Sequence, residues 1–211
     1  MTVQLIIDSV VQETSDTKSF VLKSVGTPIS YLPGQFLTLL HPRSSSVRRS
    51  YSLSSHPLLD QHLQITVKRI ANGEFSRWLF DQAKVGDQLQ SIGASGFFTL
   101  PDSLPNDTPL VFLAAGSGIT PIFSLLKEVL FKRKQQVLLI YSNHSEKETI
   151  FYRALRELER QFSKRLSIVF LFSNSKNLSR ARLSWTLLTE LVHEHVTNKA
   201  KALAYLCTPY I

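Results

Sequence analysis

The sequence has very little cysteine, a single Cys207 in 211 residues. One thiol excludes an internal disulfide, and it excludes a plant-type iron–sulfur cluster held by this chain alone, because such a cluster takes four thiolates. Long apolar runs are also missing, since no stretch approaches the roughly 20 residues of a membrane span. The residues at positions 1–4 lack the basic segment and apolar run that open a secretory leader. We therefore expect a soluble, cytoplasmic protein.

Acidic residues are scarce in the second half of the chain, and the formal net charge is +8. Residues 1–105 hold 9 Lys and Arg against 8 Asp and Glu, whereas residues 106–211 hold 15 against 8. A basic half suits nucleic acid, an acidic protein or a phosphorylated cofactor. No nucleic-acid-binding motif accompanies the charge, so we expect no nucleic acid partner.

Short strands and turns fill the first hundred residues. Turns such as Pro33-Gly34 separate six segments that alternate or run apolar. These segments are Leu5–Ile7, Ser19–Leu22, Phe36–Leu40, Arg49–Leu53, Leu63–Val67 and Gln88–Gln90. The pattern predicts a six-stranded antiparallel β-barrel over residues 1–101, with one short helix from Ser76 to Ala83.

Strands alternate with helices after a proline-containing linker at residues 102–108. Four apolar runs predict parallel strands buried on both faces. They are Leu110–Ala114, Val137–Tyr141, Leu166–Phe172 and Leu203–Cys207. A helix follows the first run, the capping box Ser145–Glu148 opens the next, and a third covers Ser184–Val196.

Residues 109–211 thus predict an α/β doubly wound parallel sheet with right-handed crossovers. The sheet looks truncated after its fourth strand, because an open sheet of this kind normally continues into another helix and strand. The alternative is a compact four-stranded sheet with a short tail.

The segment Arg48–Leu53 places different chemistry on the two faces of a strand. Alternation puts Arg49 and Tyr51 on one face and Ser50 and Ser52 on the other. A flavin can use both sets. Tyr51 lies flat against the isoalloxazine, Arg49 neutralises the pyrophosphate, and Ser52 bonds the ring edge near N5. The alternative is an ordinary edge strand with solvated arginines.

Two turns that lead into helices are candidate phosphate cradles. At Gly73–Ser76 the glycine allows close backbone approach and the helix start offers free N–H groups, although a plain turn fits too. At Gly116–Gly118 the first strand of a parallel unit turns into a helix, with Thr120 as N-cap and Pro121 at its first position. Dinucleotide pyrophosphates bind at this kind of turn, although a glycine pair also permits a merely tight turn.

Cys207 ends the last apolar run, at the sheet edge where ligands of open α/β sheets gather. The alternative is a small core residue. No metal site, nucleophile–base pair or carboxylate dyad stands out anywhere in the sequence.

The motifs in this order resemble the ferredoxin–NADP reductase family, most of all the bacterial oxygenase-reductase branch that includes the reductase of phenylacetyl-CoA epoxidase. The resemblance covers nearly the whole chain. It is carried by Pro33–Phe36, Arg49–Ser52, Thr66–Arg69, Gly73 with Ser76, Gly86-Asp87, Gly93–Phe97, Ala115–Pro121 and Cys207 with Pro209.

The resemblance implies an FAD barrel followed by a nicotinamide domain. NAD(P)H gives a hydride to flavin N5, and electrons then pass singly to an iron–sulfur or haem acceptor. The implied partner is a ferredoxin-type iron–sulfur domain, either in the same polypeptide beyond residue 211 or in a separate oxygenase component.

The resemblance also implies roles for individual residues. Tyr51, Ser52 and Cys207 are the catalytic candidates. The flavin contacts are Arg49, Ser50, Tyr51, Ser52, Thr66, Val67, Lys68, Gly73, Glu74, Phe75 and Ser76. The nicotinamide contacts are Gly116, Ser117, Gly118, Thr120 and Cys207. Hydride transfer needs no general acid or base, so catalysis is mostly positioning.

The chain departs from the family pattern in three places. His144 stands where relatives commonly have an arginine, Thr208 replaces the usual glycine, and the family's last helix and strand are missing.

The residues after the third parallel strand favour NADPH over NADH. Ser173, Lys176, Arg180 and Arg182 follow that strand, near where a 2′-phosphate lies, and no acidic residue ends the second strand to bind a free ribose 2′-OH. The leading prediction is a flavin-dependent NAD(P)H reductase. The alternative is a non-catalytic flavin-binding redox relay or sensor subunit.

Overall fold

The computed structural model describes residues 2–208, apart from the side chain of Ser45. It divides into two compact units. One holds the residues up to Leu100 together with Phe123–Lys127, and the other holds Pro101–Ile122 and the residues from Glu128 onward. Pro209 and the chain end at residues 210–211, which entered the sequence predictions, lie outside the described residues.

The first unit is a closed antiparallel sheet with one helix. Its elements are β1 (Val3–Thr14), β2 (Thr17–Val25), β3 (Phe36–His41), β4 (Ser44–Ser52), β5 (Leu63–Lys68), α1 (Glu74–Asp81) and β6 (Gln88–Ser95). The strand order is β4-β3-β6-β1-β2-β5. Leu53, just past β4, bridges antiparallel to Ile65 on β5, so the two outer strands meet. The predicted six-stranded antiparallel barrel is confirmed.

Alternate side chains of these strands form the core of the first unit. Leu37 and Leu39 on β3 are fully buried, as are Phe20 and Leu22 on β2, which is the period of two that a half-buried strand requires. Several strands are longer than predicted. The ladder of β1 continues well beyond Leu5–Ile7, because backbone pairing does not need apolar side chains at the outward positions.

The second unit is a parallel sheet with intervening helices. Its elements are β7 (Leu110–Ala115), α2 (Ile119–Lys132), β8 (Val137–Asn143), α3 (Tyr152–Gln161), β9 (Leu166–Phe172), α4 (Trp185–His195) and β10 (Leu203–Cys207). The order β10-β7-β8-β9 is parallel throughout, which confirms the doubly wound α/β prediction. The direction of strand addition reverses between β7 and β10. This topological switch point is where open α/β sheets bind ligands.

The prediction that Leu203–Cys207 is buried on both faces was wrong. The strand β10 is an edge strand, and Leu206 is 61% exposed. The apolar composition fits a parallel strand, but only its place in the strand order decides how much of it is covered.

The predicted start of α2 was also wrong. The helix begins at Ile119 with Gly118 as its N-cap, so Thr120 and Pro121 are its second and third residues. The Thr120 hydroxyl donates to the Ser117 carbonyl at 2.9 Å instead of capping the helix. Proline is tolerated here because the first-turn N–H groups have no intrahelical acceptor.

The capping box Ser145–Glu148 does not open α3. It forms a short 3₁₀ turn at Glu146–Glu148, and the Ser145 hydroxyl donates to the Glu148 carboxylate at 3.1 Å. The helix α3 begins only after Phe151, because the φ of 61° at this residue is not that of a right-handed helix. By contrast, Ser184 does cap α4, accepting from the Leu187 N–H at 3.1 Å.

None of the helices within residues 2–208 is long and apolar enough to cross a membrane.

Candidate functional site

The strand β4 lies at one end of the strand order of the first unit and carries the predicted flavin residues Arg49–Ser52. Arg49 is exposed and donates to the carbonyl of Arg48 at 2.7 Å. Within residues 2–208 it has no carboxylate partner, so its charge is available to an anion.

Ser50 and Ser52, the two serines of β4 that are predicted to contact the flavin, differ in what they already contact. The Ser50 hydroxyl is hydrogen-bonded to the Thr38 hydroxyl of β3 at 2.8 Å. The Ser52 hydroxyl is half-buried and has no partner among the described residues. Of these two serines, Ser52 is therefore the one whose hydroxyl is free to bond a ligand.

Tyr51 is half-buried and packs against the barrel core. Burial raises the pKa of its phenol, although the nearby charge of Arg49 opposes the shift. The hydroxyl therefore stays protonated at physiological pH, and the ring presents a neutral aromatic surface.

The start of α1 lacks a side-chain cap. Gly73 is its N-cap, and no side chain caps the first N–H groups. A Cβ at Gly73 would lie 2.4 Å from the Ser76 hydroxyl oxygen, so a larger residue here would require that hydroxyl to move. That hydroxyl accepts from the Ile70 N–H and donates to the Gly73 carbonyl, both at 3.2 Å. The exposed Glu74 side chain adds a negative charge in the same first turn.

The predicted contacts on β5 are mostly turned into the barrel. The Thr66 hydroxyl is buried and bonded to those of Ser19 (2.7 Å) and Ser54 (3.0 Å), and Val67 is 1% exposed. Only the exposed Lys68 side chain points outward, where it pairs with Asp16 at 3.3 Å. Thr66 and Val67 can reach a ligand only through their backbone groups.

In the second unit, the turn after β7 leads directly into α2. Gly116 has a φ of +50°, and a Cβ at this position would meet no atom within 4 Å. Glycine is therefore favoured here by the backbone conformation and not by a lack of space. The buried Tyr141 of β8 donates to the Gly116 carbonyl at 2.8 Å and holds the turn in place. No side chain caps the start of α2, and the Ser117 hydroxyl has no partner in the described part of the chain.

Gly118 is required for a different reason. A Cβ there would lie 1.9 Å from the carbonyl oxygen of Cys207. The turn therefore presses against the end of β10, and it brings Cys207 beside the glycine pair at the switch point. Burial raises the pKa of the Cys207 thiol, which keeps it uncharged at neutral pH.

The residues after β8 and β9 form the outer part of this edge. His144 Nδ1 and the Ser173 hydroxyl are 3.0 Å apart. The Nδ2 atom of Asn143 is buried without an acceptor among residues 2–208. Arg180 and Arg182 are exposed and, within the same range, have no acidic partner.

The predicted site residues include neither Tyr141 nor Asn143. In the sequence, Tyr141 belongs to an apolar run and was predicted only as a buried strand residue. Its hydroxyl, which needs a hydrogen-bond partner inside a buried strand, could have indicated the contact with Gly116. Asn143 gave no signal, because its side chain is an orphan donor only in the folded unit.

The arrangement fits the two groups that the sequence predicts. A free hydroxyl, an aromatic ring and an uncapped helix start suit a flavin with its pyrophosphate. A second uncapped helix start beside an orphan amide suits a dinucleotide.

Two domain families match the chain in succession. The oxidoreductase FAD-binding domain matches residues 3–100, and the oxidoreductase NAD-binding domain matches residues 112–210. The chain thus carries an FAD-binding and an NAD-binding domain.

Several curated relatives are reductase components of oxygenases. The ferredoxin reductase component of 3-ketosteroid-9-alpha-monooxygenase from Mycolicibacterium smegmatis is 42% identical over 186 residues, covering 84% of this chain and 52% of the relative. The glycine betaine monooxygenase reductase subunit of Pseudomonas aeruginosa is 36% identical over 153 residues, covering 71% and 41%. The chain spans about half the length of the curated relatives it matches.

Solved structures show the same fold at low identity. The Amycolatopsis cytochrome P450 reductase GcoB has a TM-score of 0.84 and 23% identity, covering 99% of this chain and 62% of that one. The ferredoxin–NADP+ reductase of Plasmodium falciparum has a TM-score of 0.78 and 17% identity, covering 97% and 84%. The narrower likeness to the phenylacetyl-CoA epoxidase reductase stays a prediction. By its two domains and its fold, the chain belongs to the ferredoxin–NADP reductase-like family.

Proposed function

We propose that this chain is an FAD-dependent NAD(P)H oxidoreductase that delivers electrons to an oxygenase system. The observation that carries the proposal is the pairing, in one chain, of an FAD-binding and an NAD-binding domain, each with an uncapped glycine-bearing helix start. When bound, FAD accepts a hydride from NAD(P)H and releases the two electrons one at a time to an iron–sulfur or haem acceptor.

The first unit holds the flavin in this proposal. The Tyr51 ring packs on the isoalloxazine, and the Ser52 hydroxyl and backbone bond its edge. Arg49 and the N–H groups at the start of α1 bind the pyrophosphate, while Lys68 and Ser76 border the ribityl or phosphate portion. Ser50, Thr66, Val67, Glu74 and Phe75 contribute through the backbone, since the Ser50 and Thr66 hydroxyls are already bonded and Val67 and Phe75 are buried.

The second unit holds the nicotinamide coenzyme. Gly116, Ser117 and Gly118 admit the pyrophosphate, and Thr120 and Cys207 border the nicotinamide ring. An uncharged thiol suits this place, because a thiolate would attract the positive charge of the oxidised ring and hinder its release. No residue has to move a proton, so these side chains act by orientation and by excluding water.

We further propose that NADPH is the preferred coenzyme. Arg180 and Arg182 are exposed and without an acidic partner in the described residues, and Ser173 and Lys176 lie on the same segment after β9. Neutralising both arginines, as Arg180→Gln with Arg182→Gln, should lower kcat/KM for NADPH about tenfold and leave that for NADH unchanged. A higher kcat/KM with NADH in the wild type, or an unchanged preference in the variant, would contradict the proposal.

The reductase proposal is tested by anaerobic titration of the FAD-loaded chain with NADPH and, separately, with NADH. Bleaching of the flavin bands is the expected result, and a chain that binds FAD but never bleaches would contradict it. The relay or sensor alternative predicts that second outcome, and the reductase components among the curated relatives do not favour it. The proposed acceptor is a ferredoxin-type iron–sulfur domain or an oxygenase component, testable by reduction of an added [2Fe–2S] ferredoxin.

A further inference from the structure

The backbone and the side chain of Phe75 lie in different environments. It is the second residue of α1, so its N–H belongs to the uncapped helix start. Its side chain is 1% exposed and points into the barrel core. Contact with a cofactor at the helix start therefore leaves the ring free for another role.

The Phe75 ring meets the ring of Tyr51 edge to face. Their centroids are 5.8 Å apart and the planes are inclined by 84°. Tyr51 lies on β4, which has a strand partner on one side along Ser44–Ser52, namely β3. The tilt of a half-buried ring on such a strand depends on what it packs against, and the aromatic ring that Tyr51 meets within this core is Phe75.

Two further aromatic rings pack against the Phe75 ring. The centroid of the His41 ring lies 5.0 Å from that of Phe75, with an interplanar angle of 74°, and the centroid of the Trp78 ring lies 6.1 Å away, with an angle of 56°. His41 is 4% exposed and its Nδ1 accepts from the Arg43 N–H at 3.2 Å. Its Nε2 has no hydrogen-bond partner among the described residues, and its ring also lies 5.7 Å from the Trp78 ring, centroid to centroid, at 67°. His41, Trp78 and Phe75 thus form a cluster of rings in mutual contact, and Phe75 in turn meets the Tyr51 ring.

We propose that Phe75 is a positioning residue that sets the angle of the Tyr51 ring against the flavin. The proposal rests on the proposed function, in which Tyr51 packs on the isoalloxazine. Phe75 does not contact the reacting atoms. It acts through Tyr51, and His41 and Trp78 keep it in place.

The test compares Phe75→Leu with Phe20→Leu in the full chain. Phe20 is fully buried in the same core, but it lies on β2 opposite Ile65. Both changes remove one ring from one core, so they should lower thermal stability to a similar degree. We expect Phe75→Leu alone to raise the FAD dissociation constant about two- to tenfold, the worth of one edge-to-face pair, and to alter the visible circular dichroism of bound FAD.

A double-mutant cycle separates positioning from general support of the core. In a chain that already carries Tyr51→Leu, adding Phe75→Leu should leave the FAD dissociation constant unchanged. Equal effects of Phe75→Leu with and without the Tyr51 ring, or equal effects of Phe75→Leu and Phe20→Leu, would overturn the proposal. A wild-type chain that binds no FAD would overturn the proposed function before any variant is measured. Should Phe75→Leu fail to fold, Phe75→Met keeps most of the buried volume while removing the ring.

Discussion

Gly118 offers the sharpest test of the nicotinamide site. In Gly118→Ala, the added methyl group would lie 1.9 Å from the Cys207 carbonyl oxygen and 2.6 Å from its carbonyl carbon. Ordinary van der Waals contact begins near 3.4 Å. The neighbouring atom is backbone and cannot rotate away, so the start of α2 and the end of β10 must separate by about 1.5 Å, the difference between those distances.

A displacement of that size falls at the point where the coenzyme is proposed to lie. Misplacement by about 1 Å costs about 100-fold in rate when catalysis depends on orientation. We therefore expect Gly118→Ala to lower kcat/KM for NADPH about 100-fold, measured as ferricyanide reduction by the FAD-loaded chain. The proposed FAD contacts all lie in the first unit, so the FAD dissociation constant should change less than twofold.

Gly116→Ala is the matched control in the same turn. A Cβ there meets nothing within 4 Å, and the variant has only the left-handed conformation to accommodate, at about 1–2 kcal/mol. We expect a stability loss with less than tenfold effect on kcat/KM. The reasoning is refuted if Gly118→Ala stays within threefold of wild type, or if Gly116→Ala is the more damaging change.

Two further predictions concern the second unit. Glu159 of α3 accepts from the Ile168 N–H on edge strand β9 at 2.8 Å and from Arg156 at 2.7 Å, so Glu159→Ala should cost about 1–3 kcal/mol and speed hydrogen exchange of the Ile168 amide. Glu157→Ala, which removes a solvent-exposed pair on the same helix, should cost under about 0.5 kcal/mol, and equal costs would contradict this role of Glu159. Burial raises the pKa of the Cys207 thiol above its ordinary 9.0, so its alkylation rate should reach half-maximum at a higher pH in the folded chain than in urea. The higher folded pKa also means that the thiol's contribution to stability is complete below about pH 9 and is lost as the pH rises through the folded value, and a folded midpoint at or below the unfolded one would refute both statements.

Most strands were predictable because their signal is local. The runs Leu110–Ala114 and Leu166–Phe172 are apolar over a strand's length, and β9 has the predicted bounds. Helix starts were harder. Thr120 and Ser145 both have the composition of a cap, but their hydroxyls donate to the Ser117 carbonyl and the Glu148 carboxylate instead. Capping depends on backbone angles, and identical residues adopt different angles in different turns.

The sequence by itself determined the order of the two domains, the type of each sheet and the turns that present glycines and free N–H groups. These features follow from periodicity, turn chemistry and motif spacing, which act over a few residues. Only the tertiary structure decided that Leu206 lies on an exposed edge, that the Thr66 hydroxyl faces inward and that Gly118 meets Cys207. Each of these depends on which distant segments become neighbours, and the free energy that selects those neighbours comes from the packing of the whole unit.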